Sequence, residues 1–155
     1  MVSDAVKTAS GEKEGELNTM RKVMTRIVMV ALACIMLTAC AAKTLESLMN
    51  QPDNKKVLDE QVQELLNNPT YSKVYKDIKW EAKNNDLTYA YYYAQEFTEE
   101  QIAQIKTNLE SQDDTLKKTI DSVKDQLEKA VGIRPDSITY VYYDNTGNEI
   151  AKISN

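Results

Sequence analysis

From Ile102 onward the apolar side chains recur at steps of three and four, or their sum: Ile102, Ile105, Leu109, Leu116, Ile120, Val123, Leu127 and Val131. That period lines them up on one face of a helix. Thr98-Glu99-Glu100-Gln101 ahead of them is a capping box, in which the Thr oxygen takes a backbone N–H and Gln101 reaches back. The pattern predicts one long helix to about Val131, closed by Gly132 in the left-handed conformation with Ile133 packing back on the last turn. The polar stretch Ser111-Gln112-Asp113-Asp114 interrupts the stripe and marks a bend. At roughly 1.5 to 3 kcal/mol for each fully buried side chain, this stripe is the main stabilising surface of the domain. Upstream, Thr44 to Asn50 makes a short apolar turn with Leu45, Leu48 and Met49 on one side. Pro52 interrupts it, and a second helix follows to about Asn67, with Asn50 as its cap. Its stripe is Val57, Leu58, Val62, Leu65 and Leu66, and Asn67-Asn68-Pro69 ends it.

Elsewhere the period falls to two. Val74 to Lys83 alternates Ile78, Trp80 and Ala82 with Lys79, Glu81 and Lys83, as a half-buried strand does. Asn84-Asn85-Asp86 is turn chemistry, because Asn and Asp tolerate positive φ. Leu87 to Ala94 returns as a second strand with Leu87, Tyr89, Tyr91 and Tyr93 on one face. A second hairpin closes the chain: Ser137 to Tyr143, a turn at Asn145-Thr146-Gly147-Asn148, then Glu149 to Ile153. The order α-β-β-α-β-β predicts an α+β two-layer domain, a small four-stranded antiparallel sheet packed on the long helix.

A different kind of pattern precedes this domain. Arg21, Lys22 and Arg26 form a positive head, and Ile27 to Leu37 is an uncharged apolar core. It is about a dozen residues long, short of the roughly 20 that span a bilayer. Leu37-Thr38-Ala39-Cys40 at its end has the residue types of a bacterial lipobox, where a lipid is attached to Cys40 and everything upstream is removed. Residues 20–39 are therefore expected to be a lipoprotein signal peptide and 40–155 an extracytoplasmic domain; the alternatives are a retained signal anchor and a secretory peptide cut at an A-x-A-like site near Ala39-Cys40-Ala41. Residues 1–19 are acidic where a signal peptide wants positive charge. They are expected to be a start-site extension, with translation starting at Met20 or alternatively Met24, or else a disordered tail of a chain that starts at Met1. Ala41-Ala42-Lys43 is the whole tether before Thr44. At about 3.3 Å per residue it would hold the domain within roughly 10 to 15 Å of the membrane.

Composition narrows the chemistry. The formal net charge is −5, and the part beyond Cys40 is acidic as well, which disfavours nucleic acid and leaves the lipid as the expected link to the membrane. The cysteines are Cys34, inside the discarded core, and Cys40, so none remains for a disulfide, a nucleophile or a metal. There is no histidine, the commonest general base and transition-metal ligand. Gly132 and Gly147, the glycines beyond Cys40, are both explained by turns, and no P-loop or dinucleotide fingerprint occurs. Glu99-Glu100 and Asp113-Asp114 read as solvated helix surface rather than paired catalytic carboxylates. Asp144 to Glu149 surrounds a glycine with oxygen ligands but is far shorter than a 12-residue calcium loop, and it reads as a hairpin turn. No cofactor and no metal are expected.

The tyrosines stand out. Tyr71, Tyr75, Tyr89, Tyr91, Tyr92, Tyr93, Tyr140, Tyr142 and Tyr143 lie in or beside the strands. Packing on a pleated surface accounts for most of them. Strand alternation nevertheless sends Tyr92 and Tyr91 to opposite faces, and likewise Tyr143 and Tyr142. Some rings must then lie away from the long helix, open to a partner. Tyr91, Tyr92, Tyr142 and Tyr143 are the candidate binding surface.

Thr44-Leu45-Glu46-Ser47-Leu48 after the lipobox, Asn50-Gln51-Pro52 and the closing Tyr142-Tyr143-Asp144-Asn145-Thr146-Gly147 turn occur in an order that resembles a family. It is that of small bacterial lipoproteins bearing domain of unknown function 4854, mostly from Gram-positive bacteria. The resemblance spans roughly Thr44 to Ile153 and implies anchoring to the outer leaflet of the cell membrane, with no activity and no functional residue to carry over. The expectation is a non-enzymatic, lipid-anchored module that binds a protein or peptide. Its rivals are a hydrolase using carboxylates alone and an accessory ligand-binding lipoprotein serving a transporter.

Overall fold

The computed structural model describes residues 43–155. Cys40, the signal peptide expected over 20–39 and the extension expected over 1–19 lie outside the described residues. Thr44 opens α1 (Leu45–Met49) with a reciprocal cap. Its hydroxyl accepts the Ser47 N–H at 3.1 Å, and the Ser47 hydroxyl oxygen accepts the Thr44 N–H at 3.2 Å. Asn50, expected to cap the next helix, instead closes α1, and α2 (Pro52–Asn67) starts from Gln51 with no side-chain cap bond. Pro52 fills the first turn, where its missing N–H leaves nothing unsatisfied. Asn54, 1% exposed, donates from Nδ2 to the Leu48 carbonyl at 2.8 Å and locks the two helices together. A single turn, α3 (Pro69–Ser72), follows, capped by the Asn68 side chain.

The helix expected as one piece is two, α4 (Glu99–Ser111) and α5 (Asp113–Val131), with Gln112 closing the first and opening the second. The capping box at Thr98 is present, and Gly132 takes φ 73° as the left-handed cap. Leu109 is followed by no buried apolar side chain until Ile120, so little burial is forfeited where the axis changes. Asp113 and Asp114 occupy the first turn of α5, where negative charge suits the helix dipole.

The sheet has the order β1-β2-β3-β4, built from β1 (Tyr75–Lys83), β2 (Asp86–Tyr93), β3 (Ser137–Tyr143) and β4 (Glu149–Ser154). Both hairpins form, and Asn84 takes φ 53° in the first turn. The sheet is mixed, which corrects the expectation of an all-antiparallel one: β2 and β3 run parallel, from Asp86 beside Ser137 to Tyr92 beside Tyr143. The reason lies in the connection. Parallel neighbours need a crossover of a dozen or more residues, usually helical. Helices α4 and α5 supply it, bringing the chain back to the end of the sheet where β2 began.

One face of the sheet carries the core. Tyr75, Ile78, Ala82, Leu87, Tyr89, Tyr91, Tyr93, Ile138, Tyr140 and Tyr142 are buried there with Leu45, Leu48, Leu58, Ile120, Val123 and Leu127 from the helices. Parallel register sets Tyr89 beside Tyr140 and Tyr91 beside Tyr142, with ring centroids 5.8 and 5.4 Å apart. Burial, reinforced by neighbouring phenols, pushes the Tyr75, Tyr91 and Tyr142 hydroxyls well above their ordinary range.

Candidate functional site

Beyond the core face, the other side of the sheet is made of the alternate residues. Asp77, Lys79, Glu81 and Lys83 come from β1, Thr88, Ala90 and Tyr92 from β2, Thr139, Val141 and Tyr143 from β3, and Glu149 and Lys152 from β4. Val141 is only 6% exposed yet stands outside the core cluster. It lies level with Ala90, with Lys79 and Lys152 beyond them on the edge strands. Long lysine stems can cover such apolar surface while their ammonium groups stay in water.

Tyr92 and Tyr143 meet on this face. Their rings stack with centroids 4.8 Å apart and planes within 12°. Lys79 Nζ sits 5.0 Å from the centre of the Tyr92 ring, a cation–π contact, and 3.5 Å from the Asp77 carboxylate. Burial, then Tyr92 and Glu149, push the Tyr143 phenol above its ordinary value. Both rings remain half-buried, so each presents part of its surface to solvent.

The adjoining β3–β4 turn is held rigid. Asp144 Oδ1 accepts from the Thr146 N–H, the Thr146 hydroxyl and the Asn148 N–H at 2.7 to 2.8 Å, and Oδ2 accepts from Asn148 Nδ2 at 2.9 Å. Burial would raise this carboxyl, but the hydrogen bonds outweigh it and hold Asp144 well below the usual carboxylate range. Its oxygens are thus committed to protein donors, as a turn requires. Lys76, at a bulge of β1, donates to the Asn145 carbonyl and ties the turn to the far edge of the sheet.

Of the four candidate tyrosines, the structure brings Tyr92 and Tyr143 together on the outer face. It removes Tyr91 and Tyr142 from that surface: they are 3% and 4% exposed and stack on each other within the core. Cys40 lies outside the described residues. Lys79, Ala90, Val141 and Lys152 complete the outer patch and were not singled out from the sequence. Only the alternation along the strands pointed toward them. Among the described residues no group of three or more His, Cys, Asp or Glu is placed to hold a metal ion. No helix among them is long and apolar enough to cross a membrane. An open groove of ≈ 550 Å³ runs along α2 between Lys55, Lys56, Asp59, Glu60 and Glu64. Its Asp59 carboxylate already binds Lys55 at 2.6 Å and accepts the Trp80 indole N–H at 3.1 Å.

The model of a family described as Domain of unknown function (DUF4854) matches residues 45–154. No curated protein and no solved structure matches the chain.

Proposed function

Because this chain belongs to the DUF4854 family, whose description assigns no activity, we propose its role from its own surface: a lipid-anchored, extracytoplasmic, non-enzymatic module that binds a protein or peptide. The carrying observation is the Tyr92–Tyr143 stack on the sheet face opposite the helices. Stacked, half-exposed tyrosines offer a large amphipathic contact at small cost in conformational entropy. Lysines and acids ring the pair, as a polar rim surrounds an apolar centre at protein interfaces.

A carboxylate-only hydrolase needs an acid whose proton is held near neutral pH. The carboxyl shifts point the other way: hydrogen bonds from Arg134 lower Asp125, and the turn lowers Asp144. The single compact core also differs from the two-lobed build of receptors that close around a ligand. Membrane attachment rests on the lipobox and Cys40.

The test is capture of partners from membranes by the full chain and by its Tyr92→Ala and Tyr143→Ala variants. Each variant is expected to weaken capture at least about tenfold, the effect of losing about 1.4 kcal/mol of interface. Unchanged capture in both contradicts the assignment. In parallel, Cys40→Ser should lose incorporation of a fatty-acid probe and leave the membrane; retained label contradicts the anchor.

A further inference from the structure

Strand β1 lies at the edge of the sheet, and among the described residues no strand pairs with it on the far side. A bulge between Tyr75 and Asp77 limits its regular part to Asp77–Lys83, with Trp80 at the centre. The outer-face residues of that stretch read Asp77, Lys79, Glu81, Lys83; the inner-face ones are Ile78, Trp80 and Ala82. Free N–H and C=O groups along such an edge are a template for another strand.

We infer that this edge is a self-association site, on which a second copy of the chain adds its own β1 antiparallel about a two-fold axis through Trp80. An axis normal to the sheet keeps every residue on its own face, so permitted registers differ by whole pleats. With Trp80 opposite its own copy, Asp77 faces Lys83 of the second copy and Lys79 faces Glu81, and symmetry repeats both pairs. Ile78 faces Ala82 on the core side. Every outer pair is of opposite sign, which favours directly opposed cross-strand residues. The next register in one direction sets Lys79 against Lys79 and Asp77 against Glu81. The next in the other sets Glu81 against Glu81 and Lys79 against Lys83. Both oppose like charges. An edge defended by lysine alone would repel every copy; this alternation admits one register and rejects its neighbours.

The layer above the strand fits the same symmetry. Trp80 donates its indole N–H to Asp59 of α2, and Lys55 Nζ lies 5.3 Å from the ring centre, so this stripe of α2 flanks the β1 edge. Along it Lys55 and Lys56 come first, and Asp59, Glu60 and Glu64 follow. The two-fold sets the basic end of one α2 toward the acidic end of the other, which gives the open groove there an occupant. The product is a continuous sheet of twice four strands, with two Tyr92–Tyr143 pairs on one outer face. The inference is independent of what those pairs bind.

Sedimentation of the full chain in mild detergent tests it. The wild type is expected as a dimer. Lys79→Glu and Glu81→Lys, each at an exposed outer-face position, should each give monomers. The combined Lys79→Glu/Glu81→Lys chain, which swaps the charges, should restore the dimer. A wild type that is monomeric at every concentration would leave the edge to a strand from another protein and overturn the inference. Dimers indifferent to both single reversals, or a double reversal that stays monomeric, would overturn it too.

Discussion

Tyr91 and Tyr92 are neighbours in the chain and serve opposite ends. Tyr91 is stacked in the core against Tyr142, whereas Tyr92 stacks on Tyr143 under Lys79 on the open face. Alternation made that separation legible from sequence. Which face would be open was not, because it depends on where the helices settle, a long-range outcome no local pattern encodes. A finer feature was invisible beforehand. The Tyr93 hydroxyl is buried with no hydrogen-bond partner, in a residue 1% exposed. The Tyr75 hydroxyl is close enough to bias its ionisation, yet no group meets it at hydrogen-bonding geometry. An unsatisfied buried hydroxyl costs about 1 to 3 kcal/mol. Tyr93→Phe keeps the ring edge-on against Phe97 and removes the orphan oxygen. It should leave stability unchanged or raise it by about 1 kcal/mol, read as a higher urea midpoint; a clear loss of stability would show that the hydroxyl is paired in solution.

Elements with local signals were read well. The capping box at Thr98 and the turn at Asn84 are where their residue types put them, because both depend on chemistry within a few residues. The break at Gln112 was legible only as a polar interruption, and the extra turn α3 not at all, since four residues carry no period. The parallel pairing of β2 with β3 was missed for a similar reason: each hairpin is a local object, but their mutual direction is set by how two helices return the chain. Gly132 offers a direct test at this scale. A Cβ added there meets nothing within 4 Å, so the cost of Gly132→Ala is that of the left-handed backbone alone, about 1 to 2 kcal/mol. A drop of that size in unfolding free energy is expected; no drop would mean that α5 ends by another route.

For the molecule as a whole, the buried tyrosine layer sets its response to alkali. Burial raises the phenols of Tyr75, Tyr89, Tyr91, Tyr93, Tyr140 and Tyr142, that of Tyr93 to about 12. Folded, they stay neutral; unfolded, they ionise near pH 10. The unfolded state therefore binds fewer protons above that pH, and stability, fully present below it, is lost as pH rises. Each phenol contributes a slope of about 1.4 kcal/mol per pH unit, against a typical total of 5 to 15 kcal/mol. The domain should unfold cooperatively between about pH 10 and 12, with tyrosinate absorbance and Trp80 fluorescence changing together. Tyrosinate formation below that transition by more than the three phenols outside the layer, Tyr71, Tyr92 and Tyr143, would mean that the layer is accessible to water.

Among the described residues, that layer fills one face of the sheet and the Tyr92–Tyr143 pair stands on the other, where the proposed binding surface lies. The most direct measurement is photo-crosslinking in intact cells, with a photoreactive phenylalanine at position 92 and, for comparison, at position 126, an exposed site on α5. A discrete adduct from position 92, absent from position 126 and lost on Tyr143→Ala, is the result expected of a binding face. No adduct at 92, or the same adducts from both positions, would contradict it.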